Sequence, residues 1–216
     1  MRPDVKINDL WMFAMGWLRE EIDFPTPQSQ TNTVVVPGRN APIRFTEALG
    51  WVSYQPRSFS ITLSMLGSRE KFNQRKDILA NLYAGQLCQV ILSEEPDLYA
   101  VGTLELEPAY DPLTGKGQMV LSCSDGDAYR YHTEETEVSI TGGGTAILNN
   151  DYMPVVPTVV TTAETALSWS IGEDVFRKSV SAGTLTFPEL ELQEGKNSVS
   201  ITGEGTTTFR YREGRL

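Results

Sequence analysis

Hydrophobic and polar residues alternate with a period of two between Arg57 and Leu66, which is the clearest pattern in the chain. The polar positions between them hold small hydroxyl residues. Such alternation predicts a β-strand that buries one face and exposes the other. The apolar positions of this strand are Phe59, Ile61, Leu63 and Met65.

A helical pattern follows directly, over about residues 69–84. Ser68 is a favourable N-cap, and Gly85 stands where helices commonly end. The pattern predicts one apolar helix face that covers a face or an end of the sheet. We place Phe72, Leu79, Leu82 and Tyr83 on this face, with Ile78 at its border.

Strand patterns resume after the helix, at residues 86–93, 98–107 and 117–124. A tight acidic turn is predicted at 94–97, and a turn rich in Pro, Asp and Gly at 108–115. The order of strand, helix and three strands lacks regular βαβ alternation. It therefore favours an α+β or mainly antiparallel unit with one helix.

The composition changes near Tyr131, beyond which no helix is predicted and Thr, Ser, Val and Gly are frequent. We therefore expect two domains, 1–131 and 132–216, with the second a small β-sandwich in a mainly β protein. Its candidate strands are Glu137–Thr141, Thr158–Thr162, Ala166–Ile171, Thr184–Phe187, Ser198–Thr202 and Thr206–Arg212.

Residues 10–56 mix apolar residues, prolines and polar runs without a clean period. This stretch predicts an extended arm or long loop. Its apolar residues need a surface to pack against, which is either their own domain or a neighbouring subunit. These residues are Trp11, Phe13, Trp17, Phe24 and Val34–Val36.

Charge and hydropathy narrow the classes of partner. The net charge is −10, and Lys and Arg are scattered without a basic stripe, which disfavours sequence-specific nucleic-acid binding. The longest apolar run, Leu10–Leu18, is too short to span a membrane, and its acidic flanks disfavour a signal peptide. Cys88 and Cys123 lie in predicted strands and are expected to be buried thiols, with a disulfide as the alternative.

Signals of catalysis are scarce. His132 is the only histidine, so a histidine-based triad or metal site would have to include it. Gly142–Gly144 predicts a hairpin turn, because no helix N-terminus follows it to complete a phosphate loop. Asp125–Asp127 lacks the other ligands of a calcium loop. We expect no catalytic residue, cofactor or metal.

Three stretches together resemble the distal tail protein family of long-tailed phages. They are Val36–Asn40 with Phe45–Leu49, then Phe59–Glu70 with Leu79–Gly85, then Leu192–Asn197 with Phe209–Leu216. Each motif alone is weak, but their order and spacing cover nearly the whole chain.

The resemblance implies an architecture and a role in the virion, with assembly in the bacterial cytoplasm. Such proteins form homo-hexameric rings at the tail tip, built by an N-terminal antiparallel β-sandwich with one helix and a belt-like arm. A C-terminal galectin-like or carbohydrate-module-like β-sandwich lies outside the ring. The ring joins the tail tube to the tail hub, the tape measure or the receptor-binding proteins, and DNA passes through its lumen. The acidic charge suits a channel that does not bind DNA.

Residue roles follow as expectations from this resemblance. Trp11, Trp17 and Val34–Val36 are candidate arm contacts with a neighbouring subunit, and Val34–Val36 would add a strand to its sheet. Pro37 and Gly38 turn the chain, and Arg39 is a candidate inter-subunit ion partner. Gly195 and Asn197 are expected to shape a turn between the last strands.

Two alternatives from other classes stay open. A carbohydrate-binding module would need exposed aromatic residues on the second domain, where Trp169 is the only tryptophan and its alternating strand favours a core position. A hydrolase of cell-wall polymers would need paired carboxylates across a cleft, whereas Glu105 and Glu107 share one strand face.

Overall fold

The computed structural model describes residues 2–31, 33–38, 40–41, 43–44 and 52–216. The chain divides into two compact units. The first unit comprises the chain up to Arg130 together with Leu216, and the second comprises Tyr131–Arg215. Among the described residues, no helix is long and apolar enough to cross a membrane.

The first unit is antiparallel β-structure with one helix, as the sequence predicts. Its elements are β1 (Val5–Ile7), β2 (Leu10–Trp11), β3 (Leu18–Asp23), β4 (Thr33–Val34), β5 (Ile43–Arg44), β6 (Arg57–Leu66), α1 (Arg69–Tyr83), β7 (Gln86–Leu92), β8 (Glu95–Asp111) and β9 (Lys116–Gly126). Seven of these strands lie in one sheet in the order β2-β1-β7-β8-β9-β6-β3, and β4 pairs with β5.

The long strand β8 links two parts of this sheet. Its first part pairs with β7, up to the pair Gln86 and Leu104, and its remainder pairs with β9 from Glu105 onward. The core contains side chains from both parts, including Val90 on β7 and Leu63 on β6. A strand that changes partners along its length in this way lets one sheet fold over its own core.

The strand β6 and the helix α1 confirm the predictions from alternation and capping. The Ser68 hydroxyl accepts a hydrogen bond from the Lys71 amide, and Gly85 has a φ of 67° in the left-handed region. Phe72, Leu79 and Tyr83 are buried, but Leu82 is 44% exposed. At about 100° per residue, Leu82 lies about 80° around the helix from Phe72, so its assignment to the buried face was wrong.

The turn predicted at 108–115 is shorter in the structure, where β8 continues to Asp111 and the turn occupies 112–115. Pro108 lies inside β8, opposite Met119, in the part that β7 does not reach. Proline is tolerated where no ladder hydrogen bond is needed from its nitrogen. The Pro- and Asp-rich composition therefore predicted a longer turn than the structure contains.

The second unit consists of two four-stranded sheets packed around one core. The strands of the two sheets are β11 (Thr136–Thr141), β12 (Gly144–Asn150), β13 (Thr158–Thr161), β14 (Thr165–Ile171), β15 (Asp174–Val180), β16 (Gly183–Thr186), β17 (Gly195–Gly203) and β18 (Thr206–Tyr211). The sheet orders are β11-β18-β13-β16 and β12-β17-β14-β15. Outside these sheets, β10 (Arg130–His132), which begins at the last residue of the first unit, pairs with β19 (Gly214–Arg215).

The second unit differs from the sequence-based prediction at a turn and at a strand. Gly142–Gly144 does not close a hairpin, because β11 pairs with β18 and β12 pairs with β17 in the other sheet. Gly142, with a φ of 76°, instead turns the chain from one sheet to the other. The strand β15 was not predicted at all.

Trp169 lies in the core of the second unit, as its alternating strand predicts. It is 4% exposed, and its indole nitrogen donates a hydrogen bond of 2.9 Å to the Glu189 carbonyl. Cys88 and Cys123 are likewise buried and free, as predicted. Burial raises the pKa of the Cys123 thiol to about 11, so this thiol is neutral at physiological pH.

Candidate assembly surface

The candidate assembly surface consists of the described residues between 28 and 55, which pair with one another in antiparallel fashion and which we call the arm ribbon. Its two ends are joined by hydrogen bonds from Gln30 N to Ser53 O (2.7 Å) and from Gln55 N to Gln28 O (2.8 Å). Farther along, β4 pairs with β5 in antiparallel register. A two-stranded ribbon is marginally stable alone in water, so we expect the arm ribbon to pack against another surface.

Three consecutive valines are exposed on this ribbon. Val34, Val35 and Val36 are 51%, 78% and 39% exposed. Pro37 and Gly38 form a turn directly after them, and Gly38 has a φ of 82° that favours glycine. Fully burying a valine side chain contributes about 1.5–3 kcal/mol, so this triplet is a substantial unused apolar surface.

Arg57 anchors the chain where it enters the arm ribbon. Its guanidinium is buried and donates hydrogen bonds to Pro25 O at 2.7 Å and to Ala128 O at 2.9 and 3.2 Å. These bonds tie the segment before the ribbon to the end of the first unit's sheet. Burial lowers the pKa of Arg57 to about 10, with a further contribution from the charge of Arg130, and the group remains charged at neutral pH.

The ring of Phe24 completes this anchor. It stacks on Phe59 with centroids 4.7 Å apart. The guanidinium carbons of Arg57 and Arg130 lie 5.2 and 5.9 Å from its centroid. Two cations over an aromatic ring, with a stacked partner, hold the entry segment through both cation–π and apolar contact. The ribbon therefore leaves the unit from a fixed point.

The predicted arm begins too early at residue 10. Trp17 is fully buried and packs edge-to-face on Phe72 with centroids 6.1 Å apart, so it belongs to the core of its own unit. Residues 18–23 form β3, which pairs with β6. Trp11 is half-buried in β2 and, with Phe13, lines a small surface pocket. Arg39 lies outside the described residues.

The fold of the chain matches a solved structure. The SPP1 Dit protein, described as a paradigm of the hub adsorption apparatus in phages that infect Gram-positive bacteria, superimposes with a TM-score of 0.72 at 12% sequence identity. The match covers 98% of this chain and 99% of that chain. This chain has the Dit fold. No protein-family model and no curated protein matches it in sequence.

The Dit fold confirms the fold that the sequence motifs imply, namely a mainly β chain with one helix and antiparallel sheets. Gly195 and Asn197 lie at the entry to β17. The Asn197 amide donates to Gln193 O at 2.7 Å, and its carbonyl oxygen accepts from Gln193 N at 2.9 Å. With a φ of 90° at Gly195, these contacts hold the turn that leads into β17.

The side chains of His132, Asp151 and Arg215 lie close together. His132 Nε2 lies 3.6 Å from Asp151 Oδ2, and Arg215 Nε lies 3.9 Å from the same oxygen. The His132 amide also donates to the Glu213 carbonyl at 2.9 Å. These contacts tie β10 to the chain end within the second unit. Among the described residues, no group of three or more His, Cys, Asp or Glu is placed to hold a metal ion.

The anchor at Arg57 was not predicted from the sequence. A signal for it was present, because Arg57 has the same parity along β6 as Phe59 and Ile61 and therefore falls on the buried face. A buried arginine needs carbonyl or carboxylate partners, and those came from residues distant in sequence.

Proposed function

We propose that this chain is a structural subunit of the tail tip of a long-tailed phage. Copies join head-to-tail into a ring, which we expect to be hexameric. The ring connects the tail tube to the tail hub and the receptor-binding parts, and DNA passes through its lumen. The observation that carries this proposal is the Dit fold over 98% of the chain.

The arm ribbon supports a head-to-tail contact. Val34–Val36 are exposed on a β-ribbon that leaves the first unit from a fixed anchor. In a closed ring, one repeated heterologous interface covers the same apolar surface on every copy. Three consecutive β-branched residues, of which Val34 lies in β4, suit addition to the sheet edge of a neighbour.

The net charge of −10 fits the proposed lumen. Phosphate groups on DNA are repelled by an acidic wall, so a duplex can move past it without being retained. The charge does not favour a sequence-specific DNA contact.

The test of the arm contact replaces Val34, Val35 and Val36 together by threonine, which keeps shape and β-propensity but removes apolar surface. The matched control replaces Val175 and Ile147, which are 64% and 44% exposed in the second unit, by threonine. Sedimentation velocity should show assemblies of wild type and control, and a monomer of the triple variant. Equal assembly of all three proteins refutes the contact through the valines.

A further inference from the structure

The outer face of the sheet β12-β17-β14-β15 carries a shallow trough of about 330 Å³ in the second unit. Two cross-strand rows form it. The registers place Ser168 between Ser200 and Arg177 in the first row, and Ala166 between Thr202 and Ser179 in the second. We call these six residues the trough.

The depression arises from the small side chain at its centre. Neighbouring strands are about 4.8 Å apart, so Thr202 and Ser179 stand roughly 10 Å from each other with only a methyl group between them. Ala166 is exposed and its strand neighbours Thr165 and Leu167 are buried. The trough is therefore open to solvent above a floor that the core holds rigid.

Hydroxyl groups and cations line the trough. Four hydroxyl groups come from Ser168, Ser179, Ser200 and Thr202, and one guanidinium comes from Arg177. Leu167 and Lys178 complete the lining, and the Lys178 ammonium is paired with Glu189 Oε1 at 2.9 Å. Within the described part of the chain, Arg177 has no hydrogen-bond or ion-pair partner and the four hydroxyls make no side-chain hydrogen bond. No carboxylate and no aromatic ring lines the trough.

This composition discriminates between ligand classes. Neutral sugars are commonly held by stacking on exposed aromatic rings, which the trough lacks. A guanidinium instead binds two oxygens of a phosphate through parallel hydrogen bonds. Hydroxyls both donate and accept, so they suit the alcohol groups of a sugar or polyol.

We propose that the trough binds the phosphate ester of a sugar or polyol, with the phosphate on Arg177 and the alcohol groups over Ala166. Arg177 sets this orientation, because within the described part of the chain it is the cation of the trough that has no ion-pair partner. Acidic residues flank both ends of the strands, with Glu164 and Glu204 beyond the row of Ala166, and Glu173 and Asp174 where β14 turns into β15. The guanidinium is therefore the position at which an anion is favoured.

The proposal goes beyond ring assembly and does not depend on it, because the trough lies within one copy of the second unit. The test titrates the full chain with three probes: glucose esterified with phosphate at its primary hydroxyl, glucose itself, and inorganic phosphate. Binding is followed by the amide NMR signals of Ser168, Arg177 and Ser200. We expect the ester to bind at least about ten-fold more tightly than either other probe, which corresponds to about 1.4 kcal/mol.

Three variants separate the contributions. Arg177→Gln should weaken ester binding about ten-fold or more, and Ala166→Tyr, which fills the floor from a solvent-facing strand position, should abolish it. Lys196→Gln makes the same charge change outside the trough and should leave binding unchanged. Absence of ester binding, equal binding of glucose, equal binding of inorganic phosphate, or insensitivity to Arg177→Gln each overturns the proposal.

Discussion

Arg57 is the residue through which the first unit holds the start of the arm ribbon, so its replacement is a sharp test of the structural reasoning. Arg57→Met keeps an unbranched side chain in the buried position but removes every donor. The carbonyls of Pro25 and Ala128 then lose three hydrogen bonds from a charged group. The cation–π contact with Phe24, at 5.2 Å, is lost as well.

The size of the effect follows from the number of carbonyls left without a donor. A hydrogen bond to a charged group contributes about 1.5–3 kcal/mol net of desolvation. Two carbonyls lose their donor, and burial of the apolar methionine side chain offsets a small part of this loss. We therefore expect the free energy of unfolding of the first unit to fall by about 3–5 kcal/mol. Arg57→Lys keeps the charge, but one ammonium cannot reproduce the fork that spans both carbonyls, so about half of this loss is expected.

The assay is amide hydrogen exchange measured residue by residue along the chain. Slowly exchanging amides of β6 and β9 report on the first unit, and those of β14 and β17 report on the second, which serves as an internal reference. If Arg57→Met lowers the free energy of unfolding of the first unit by less than about 1 kcal/mol, the role of Arg57 as an anchor is refuted. An equal fall for Arg57→Lys would refute the geometric argument, and a fall in the second unit alone would refute the assignment of the contact.

Two further predictions concern a buried hydroxyl and a close approach between elements. Tyr211 donates its hydroxyl to the Asn149 carbonyl, and burial together with the charge of Glu213 raises its pKa to about 12. Because this folded-state pKa exceeds the unfolded value of about 10, its stabilising contribution is complete below pH ~10 and is lost as the pH rises through ~12. Tyr211→Phe should lack this alkaline loss when the second unit's stability is measured against pH, and an unchanged loss would contradict the assignment. A β-carbon on Gly117 would lie 2.2 Å from the ring of Phe72, so Gly117→Ala should displace α1 and lower the unfolding free energy of the first unit by about 1–3 kcal/mol. Gly144→Ala in the second unit, where the nearest atom is 3.5 Å away, is the matched control. The urea midpoint is read in the unit that carries the change, and equal shifts of the midpoint for the two variants would contradict the packing argument.

Local patterns in the sequence predict the elements whose signals are local. The strand β6 and the helix α1 were found because alternation, an N-cap and a C-terminal glycine all lie within them. The strand β15 was missed because DVFRKSV lies at a sheet edge, where charged residues are common and alternation is weak.

Other features depend on contacts between distant residues, which a single sequence does not show. The glycines at 142–144 predict a turn in either case, but only the pairing of β12 with β17 makes it a crossover between sheets. Trp17 joined its own core rather than a neighbour because β3 pairs with β6 some 40 residues later. The trough likewise requires three strands to bring Ser200, Ser168 and Arg177 into one row.

The arm ribbon combines both kinds of information. Its apolar valines and the turn at Pro37–Gly38 were visible in the sequence. The pairing of its two ends, and the anchor that fixes its origin, appear only in the fold. The sequence alone therefore indicated which apolar residues need a surface to pack against. The structure shows that Val34–Val36 remain exposed on their own unit.

The central claim, a ring built by repetition of this chain, is tested most directly by the mass of the purified protein in solution. Light scattering should give a species about six times the 24.0 kDa of one chain, and negative-stain images of the same fraction should show rings with a central hole. A folded monomer at every concentration, or an assembly without a central opening, would contradict the account.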